Sequence, residues 1–165
     1  MHRPDTHMAP RRRLWLARLG AALGLALTLG WLTPALSQQP QLHLPRVQLQ
    51  AGMHLINAQV ASTHQQRAIG LMWRRDMAPN EGMLFIFEEP QRQCFWMMNT
   101  YLPLTAAFIE DDGTIVNLAD MQPLTTDSHC SAKPVRFVLE MHQGWFARRG
   151  IQPGDRLRGE VFRPR

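Results

Sequence analysis

The sequence predicts a mainly β protein, a compact antiparallel β-sandwich or barrel of about seven to eight short strands with two short helices at its margins. Three observations carry this. Polar and apolar residues alternate with a period of two in MHLINAQVA (53–61) and VRFVLEMH (135–142). Turn signals recur between the apolar runs, at Pro79-Asn80-Glu81-Gly82, Asp111-Asp112-Gly113 and QPGD (152–155). Only STHQQRAIGLMWRR (62–75) and QGWFARR (143–149) read as helical.

The chain opens with Arg11-Arg12-Arg13, then a mostly apolar stretch from Leu14 to Leu32 without acidic residues, then the small residues Ala35 and Ser37 one position apart. Basic, apolar, small-x-small is the order of a secretory signal peptide. Residues 1–37 are therefore expected to be removed by a cut after Ser37, leaving a periplasmic or secreted protein. The apolar run is short against the roughly 20 residues of a membrane span, so no stable span is expected once it is cut. An uncleaved N-terminal anchor is the alternative. Residues 38–50, QQPQLHLPRVQLQ, read as a linker, and residues 51–165 as a single β-rich domain.

Within the domain, 53–61 is the first strand, with Leu55, Asn57, Gln59 and Ala61 on one face and Ile56, Ala58 and Val60 on the other. A helix follows, and Ser62 with Gln65 or Thr63 with Gln66 offers a capping box for its free N–H groups. MLFIFEE (83–89) reads as a buried strand stopped by Pro90, and QCFWMMN (93–99) as the next strand. AAFIEDDGTIVNL (106–118) is a hairpin, because the Asp-Gly pair tolerates the positive φ angles of a tight turn. In 135–142 Val135, Phe137, Leu139 and Met141 share a face. Gly150 is placed to end the second helix in a left-handed cap, and RLRGEVF (156–162) is the last strand, with Leu157 and Val161 inward.

Charge narrows the function classes. The 165-residue chain has a formal net charge of +5, from 18 basic and 13 acidic residues. Five Arg and one Asp of these lie within residues 1–37, which leaves 13 basic and 12 acidic residues beyond. The basic character belongs to the leader, and no nucleic-acid footprint is expected in the domain. Gly-x-Ser-x-Gly, a phosphate loop and a dinucleotide fingerprint are all absent from the sequence. No Cys-x-x-Cys, His-Glu-x-x-His or His-x-His occurs, so neither a metal nor another cofactor is expected.

Five motifs occur in order: Arg67-x-x-Gly70-Leu71-Met72, Glu81-Gly-Met-Leu-Phe-Ile-Phe87, Phe95-Trp-Met-Met-Asn-Thr-x-x-Pro-Leu104, Val138-Leu139-Glu140 and Gly150-Ile-x-x-Gly-Asp155. Together they resemble the domain of unknown function 192 family over roughly residues 53–162. The resemblance implies a small, mostly β fold and no established chemistry. Many members carry an Asp after the Pro-Leu pair, where this chain has Thr105.

Cys94 and Cys130 are the two cysteines, and in an exported chain they are expected to form a disulfide. Arg67, Trp96, Asn99 and Thr100 form a candidate ligand-binding set: an aromatic face, an amide and a hydroxyl at a strand end, and a cation on the neighbouring helix. The structural alternative has Arg67 paired with Glu81 or capping backbone carbonyls, and Asn99-Thr100 building a turn. Glu140 and His142, with Arg136 on the same strand face, are candidates for acid–base catalysis, or else an ordinary solvated face. Three functions fit: a module that binds a small polar ligand or a cell-envelope component, a hydrolase or isomerase using the Glu/His pair, and an envelope protein-interaction module.

Overall fold

The computed structural model describes residues 39–163, so the expected signal peptide and its cleavage site lie outside the described residues. In chain order the elements are β1 (Arg46–Ala51), β2 (His54–Ala61), α1 (His64–Ile69), β3 (Glu81–Gln91), β4 (Cys94–Phe95), β5 (Leu104–Ile109), β6 (Ile115–Met121), β7 (His129–Cys130), β8 (Val135–His142) and β9 (Leu157–Arg158), with 3-10 turns at Ala147–Arg149 and Glu160–Phe162. Seven strands form one sheet in the order β6-β5-β8-β3-β2-β1-β9, and β4 and β7 form a small second sheet.

The fold is mainly β, as expected, but the large sheet is mixed. β2 and β3 run parallel, joined by a crossover that contains α1; the other pairs are antiparallel. A parallel pair cannot be joined by a tight turn, and the 19 residues between these strands supply the crossover. The tip of the β5–β6 turn meets the segment before β9, through a bridge between Thr114 and Arg156 and a bond from Ile115 N to Asp155 O (2.9 Å). At that end the two edges of the sheet curl together. Gly113 permits it: φ is +91°, and the Leu157 carbonyl oxygen lies 2.2 Å from where a Cβ would be.

Both faces of the sheet are covered, which is why all six residues of β5 are buried. One face packs Leu49, Ile56, Leu84, Phe137, Leu139 and Met141 under Trp145, Phe146 and Phe162. The other packs Met83, Phe85, Leu104, Phe108 and Val138 under Leu71 and Met97. Val135 belongs to this second cluster and not with Phe137, because the β3–β8 register shifts between Ile86 and Gln91.

Several local expectations change. The segment expected as a linker, 38–50, becomes strand β1 from Arg46 onward. Before it, Gln41 donates to the carbonyls of Gln66 (2.8 Å) and Gly70 (2.9 Å) at the end of α1, and Leu42 O accepts from the buried Gln59 amide (2.6 Å). Gln66 O also accepts from Gly70 N (2.9 Å), whereas the Gly70 carbonyl and the Gln59 amide nitrogen depend on these bonds for a partner. The first expected helix is α1, capped by the Thr63–Gln66 box and ended by Gly70, and the second is the 3-10 turn Ala147–Arg149, ended by Gly150 in the left-handed conformation (φ +67°) as expected. The stretch expected as strand 93–99 is a strand only at Cys94–Phe95, because β7 offers it just two partners, Cys130 and His129. The last strand likewise stops at Arg158, and Glu160–Phe162 form a 3-10 turn.

Candidate functional site

A cavity of about 560 Å³ opens between α1, the outer half of β3 and the segment after β4. Leu71, Met72, Phe85, Phe87, Phe95 and Trp96 give it apolar walls, and Thr100 and Glu140 reach it from below. Its size falls in the usual range for small-ligand sites, roughly 300–1,000 Å³. Gly70 sets the near wall. Its φ is +52°, and a Cβ there would come within 3.2 Å of the Phe85 ring, so the chain leaves α1 tight against β3.

Glu140 is the unusual residue of the cavity. It lies on β8, registered between Met83 of β3 and Ala106 of β5, and is only 4% exposed. Among the described residues its carboxyl has no hydrogen-bond partner. Burial, with nothing to offset it, pushes its pKa up from 4.5 to about 8. At neutral pH the cavity floor is therefore a neutral carboxylic acid. The expectation of a solvated face is corrected: α1 and the loop after it cover this side of the sheet.

The expected ligand set converges only in part. Trp96, half exposed at the rim, and the buried Thr100 both line the cavity. The Thr100 hydroxyl makes one long bond, to Met98 O at 3.4 Å, and keeps acceptor capacity. Asn99 does not line the cavity. It adopts a φ of +58° and its carbonyl accepts from Trp73 N (2.8 Å), so it builds the turn that presents Thr100. Arg67 lines the wall with its terminal nitrogens engaged, donating to Ser62 O, Ile86 O (2.8 Å) and the Glu88 carboxylate (3.2 Å). Arg67 thus caps two carbonyls, as one alternative expected, and its carboxylate partner is Glu88; Glu81 instead bridges Arg46 (2.6 Å) and the buried Arg74 (3.2 Å). Burial opposes ionisation of Glu81, but the bonds from Arg46, Arg74 and Ala78 N outweigh it and hold its pKa below the ordinary value.

The expected catalytic group does not assemble. His142 is not a cavity residue; its Nε2 lies 2.8 Å from Met77 O. Arg136 lines a separate cleft and pairs with Asp111 at 3.1 Å. Strand spacing placed the three on one face, but a run from Arg136 to His142 separates its ends along the strand, and only Glu140 faces the cavity. Thr105 is structural: its hydroxyl donates to Asp120 and accepts from Gly144 N (3.0 Å), so the carboxylate of this corner stands on β6. Cys94 and Cys130 are registered across β4 and β7 with their sulfurs at disulfide distance, 2.10 Å, beside the cavity. Among the described residues no cluster of three or more His, Cys, Asp or Glu could hold a metal, and no helix is long and apolar enough to cross a membrane.

The walls Leu71, Met72, Phe85, Phe87 and Phe95 were not singled out from the sequence as site residues. All lie inside the motifs Arg67–Met72, Glu81–Phe87 and Phe95–Leu104, which was the available signal.

The profile of the domain of unknown function 192 family, described as an uncharacterized ACR, matches residues 47–159. A solved structure from Sinorhizobium meliloti 1021, designated a candidate transcription regulator, is 40% identical, covers 73% of this chain and 98% of its own, and superposes with a TM-score of 0.68. A second, from Novosphingobium aromaticivorans DSM 12444 and of unknown function, is 33% identical, covers 74% and 94%, and also has a TM-score of 0.68. No curated protein matches the sequence.

Proposed function

The chain belongs to the domain of unknown function 192 family, which carries no assigned chemistry, and from its own cavity we propose that it is an exported module that binds a small ligand above Glu140. One observation carries the reading: a carboxyl buried in an aromatic cavity without a hydrogen-bond partner. A ligand that enters the cavity meets a carboxyl with no competing partner in the protein, while Leu71, Phe85, Phe95 and Trp96 bury its apolar part.

The leader supports a periplasmic or secreted location, where the ligand is a free small molecule or part of an envelope component. The regulator designation of the Sinorhizobium relative is not carried over, because the domain's basic and acidic residues nearly balance.

The test is a thermal-shift panel of sugars, peptidoglycan fragments, organic acids, alcohols and amines. A ligand at about 100 times its Kd adds about 2.7 kcal/mol of stability. At least one class is expected to raise the Tm of the wild-type protein and to lose much of the effect in Trp96→Ala. A panel without a single shift, or a shift indifferent to Trp96→Ala, refutes binding in this cavity.

A further inference from the structure

We infer that the ligand of this cavity is an organic cation, an amine on an aryl or alkyl body, whose ammonium group meets the carboxyl of Glu140. This deepens the binding reading above and rests on it. The first argument is the charge of the lining. Glu88, Glu89 and Glu140 face only Arg67 and His64. Arg67 is committed to Glu88 and to two backbone carbonyls, so no free guanidinium waits for an anionic ligand.

The second argument is the aromatic wall. Phe85, Phe87, Phe95 and Trp96 line the cavity, with Phe95 set edge-on to Phe85 (4.8 Å between ring centroids) and to Phe87 (6.4 Å). Aromatic faces attract cations through their quadrupole. This wall already holds one: the Arg67 guanidinium lies 4.9 Å from the Phe87 ring centre. An ammonium deeper in the cavity would find the other rings and a carboxyl with no competing partner.

The acid–base bookkeeping follows. When the ammonium enters below pH 8, the Glu140 carboxyl loses its proton to solvent and an ion pair forms in its place. Amine affinity then rises with pH until Glu140 is ionised in the free protein too. The charged or titratable groups that flank it are His64 and Arg67 on α1 and Glu88 and Glu89 on β3. Its registered neighbours, Met83 and Ala106, carry no charge. On the same strand face His142 is tied to Met77 O, and across from it Glu81 is tied to Arg46 and Arg74.

The experiment is calorimetry with phenethylammonium, 2-phenylethanol and phenylacetate, from pH 6 to 9, in two buffers of different ionisation enthalpy, on the wild-type protein and Glu140→Gln. The ammonium is expected to bind more tightly than the alcohol and the acid at pH 8. Its affinity should gain roughly tenfold from pH 6 to 7 and about fivefold from 7 to 8, with about one proton released per cation bound at pH 6 and about half of one at pH 8. Both the slope and the proton release should vanish in Glu140→Gln. If the alcohol or phenylacetate binds as tightly as the amine, or the slope survives in Glu140→Gln, the cation assignment is wrong while binding in the cavity stands. If none of the three binds but another compound of the panel does, the assignment falls in the same way. If nothing binds at all, the binding reading falls with it.

Discussion

Replacing Glu140 by Gln tests the burial argument without any ligand. The carboxyl has a pKa of about 8 in the folded protein against an ordinary 4.5. Between these values the folded state holds a proton that the unfolded chain has released. Stability therefore declines as pH rises through this window, by about 5 kcal/mol in all, and this group contributes no further change above it. Glu81, Glu88 and Asp112 have the opposite sign: their pKa values lie below the ordinary one, so what they contribute is present above the usual carboxylate range and lost as the solution becomes acid. Gln keeps the shape and neutrality of the protonated acid but cannot ionise. Urea unfolding midpoints measured from pH 5 to 9 should begin close together for the two proteins. They should separate to about 4 kcal/mol in favour of Glu140→Gln by pH 8. Parallel curves would refute the reasoning, since they would mean that the carboxyl reaches water or a partner in the folded protein.

Two more predictions concern the frame around the cavity. Cys94→Ser should cost about 3.8 kcal/mol, the chain-entropy value for a loop of 36 residues. Intact mass after alkylation should show two modified thiols in the wild-type protein only when it is first reduced. Glu81→Gln should cost about 3 kcal/mol by denaturant unfolding, because it leaves the buried Arg74 guanidinium without its counter-charge; an unchanged midpoint would show that Gln59 alone satisfies Arg74.

What could be read from the sequence was what is local. The Asp111–Gly113 hairpin and the Thr63–Gln66 cap depend on neighbours within a few residues, and both formed as expected. The alternation in β2 and β8 correctly divided their side chains between two faces, apart from Val135. It could not show that the second face is covered, since that cover is α1 and the turn after Met97, brought there by the crossover to β3. The same blindness produced the two errors at the site. Glu140 reads as a surface residue in a pattern that places polar groups outward, and Arg67 has no sequence cue that favours Glu88, 21 residues away, over Glu81. In CFWMMNT the composition suggested a continuous core strand. Met97 is indeed fully buried, but Trp96 remains half exposed, because pairing ends after Phe95 and the chain turns at Asn99.

The two residues of β9 have a consequence for how the chain reaches its final form. They pair with Gln50 and Ala51 of β1, and the residue before them bridges to Thr114. β1 is thus complete about a hundred residues before its outer partner exists. Until Leu157 arrives, β1 presents an open edge, the kind of surface that templates association with other chains. β9 closes the end of that edge at Gln50 and Ala51. A chain that stops short of it lacks the partner of Gln50 and Ala51 and leaves that end of β1 open.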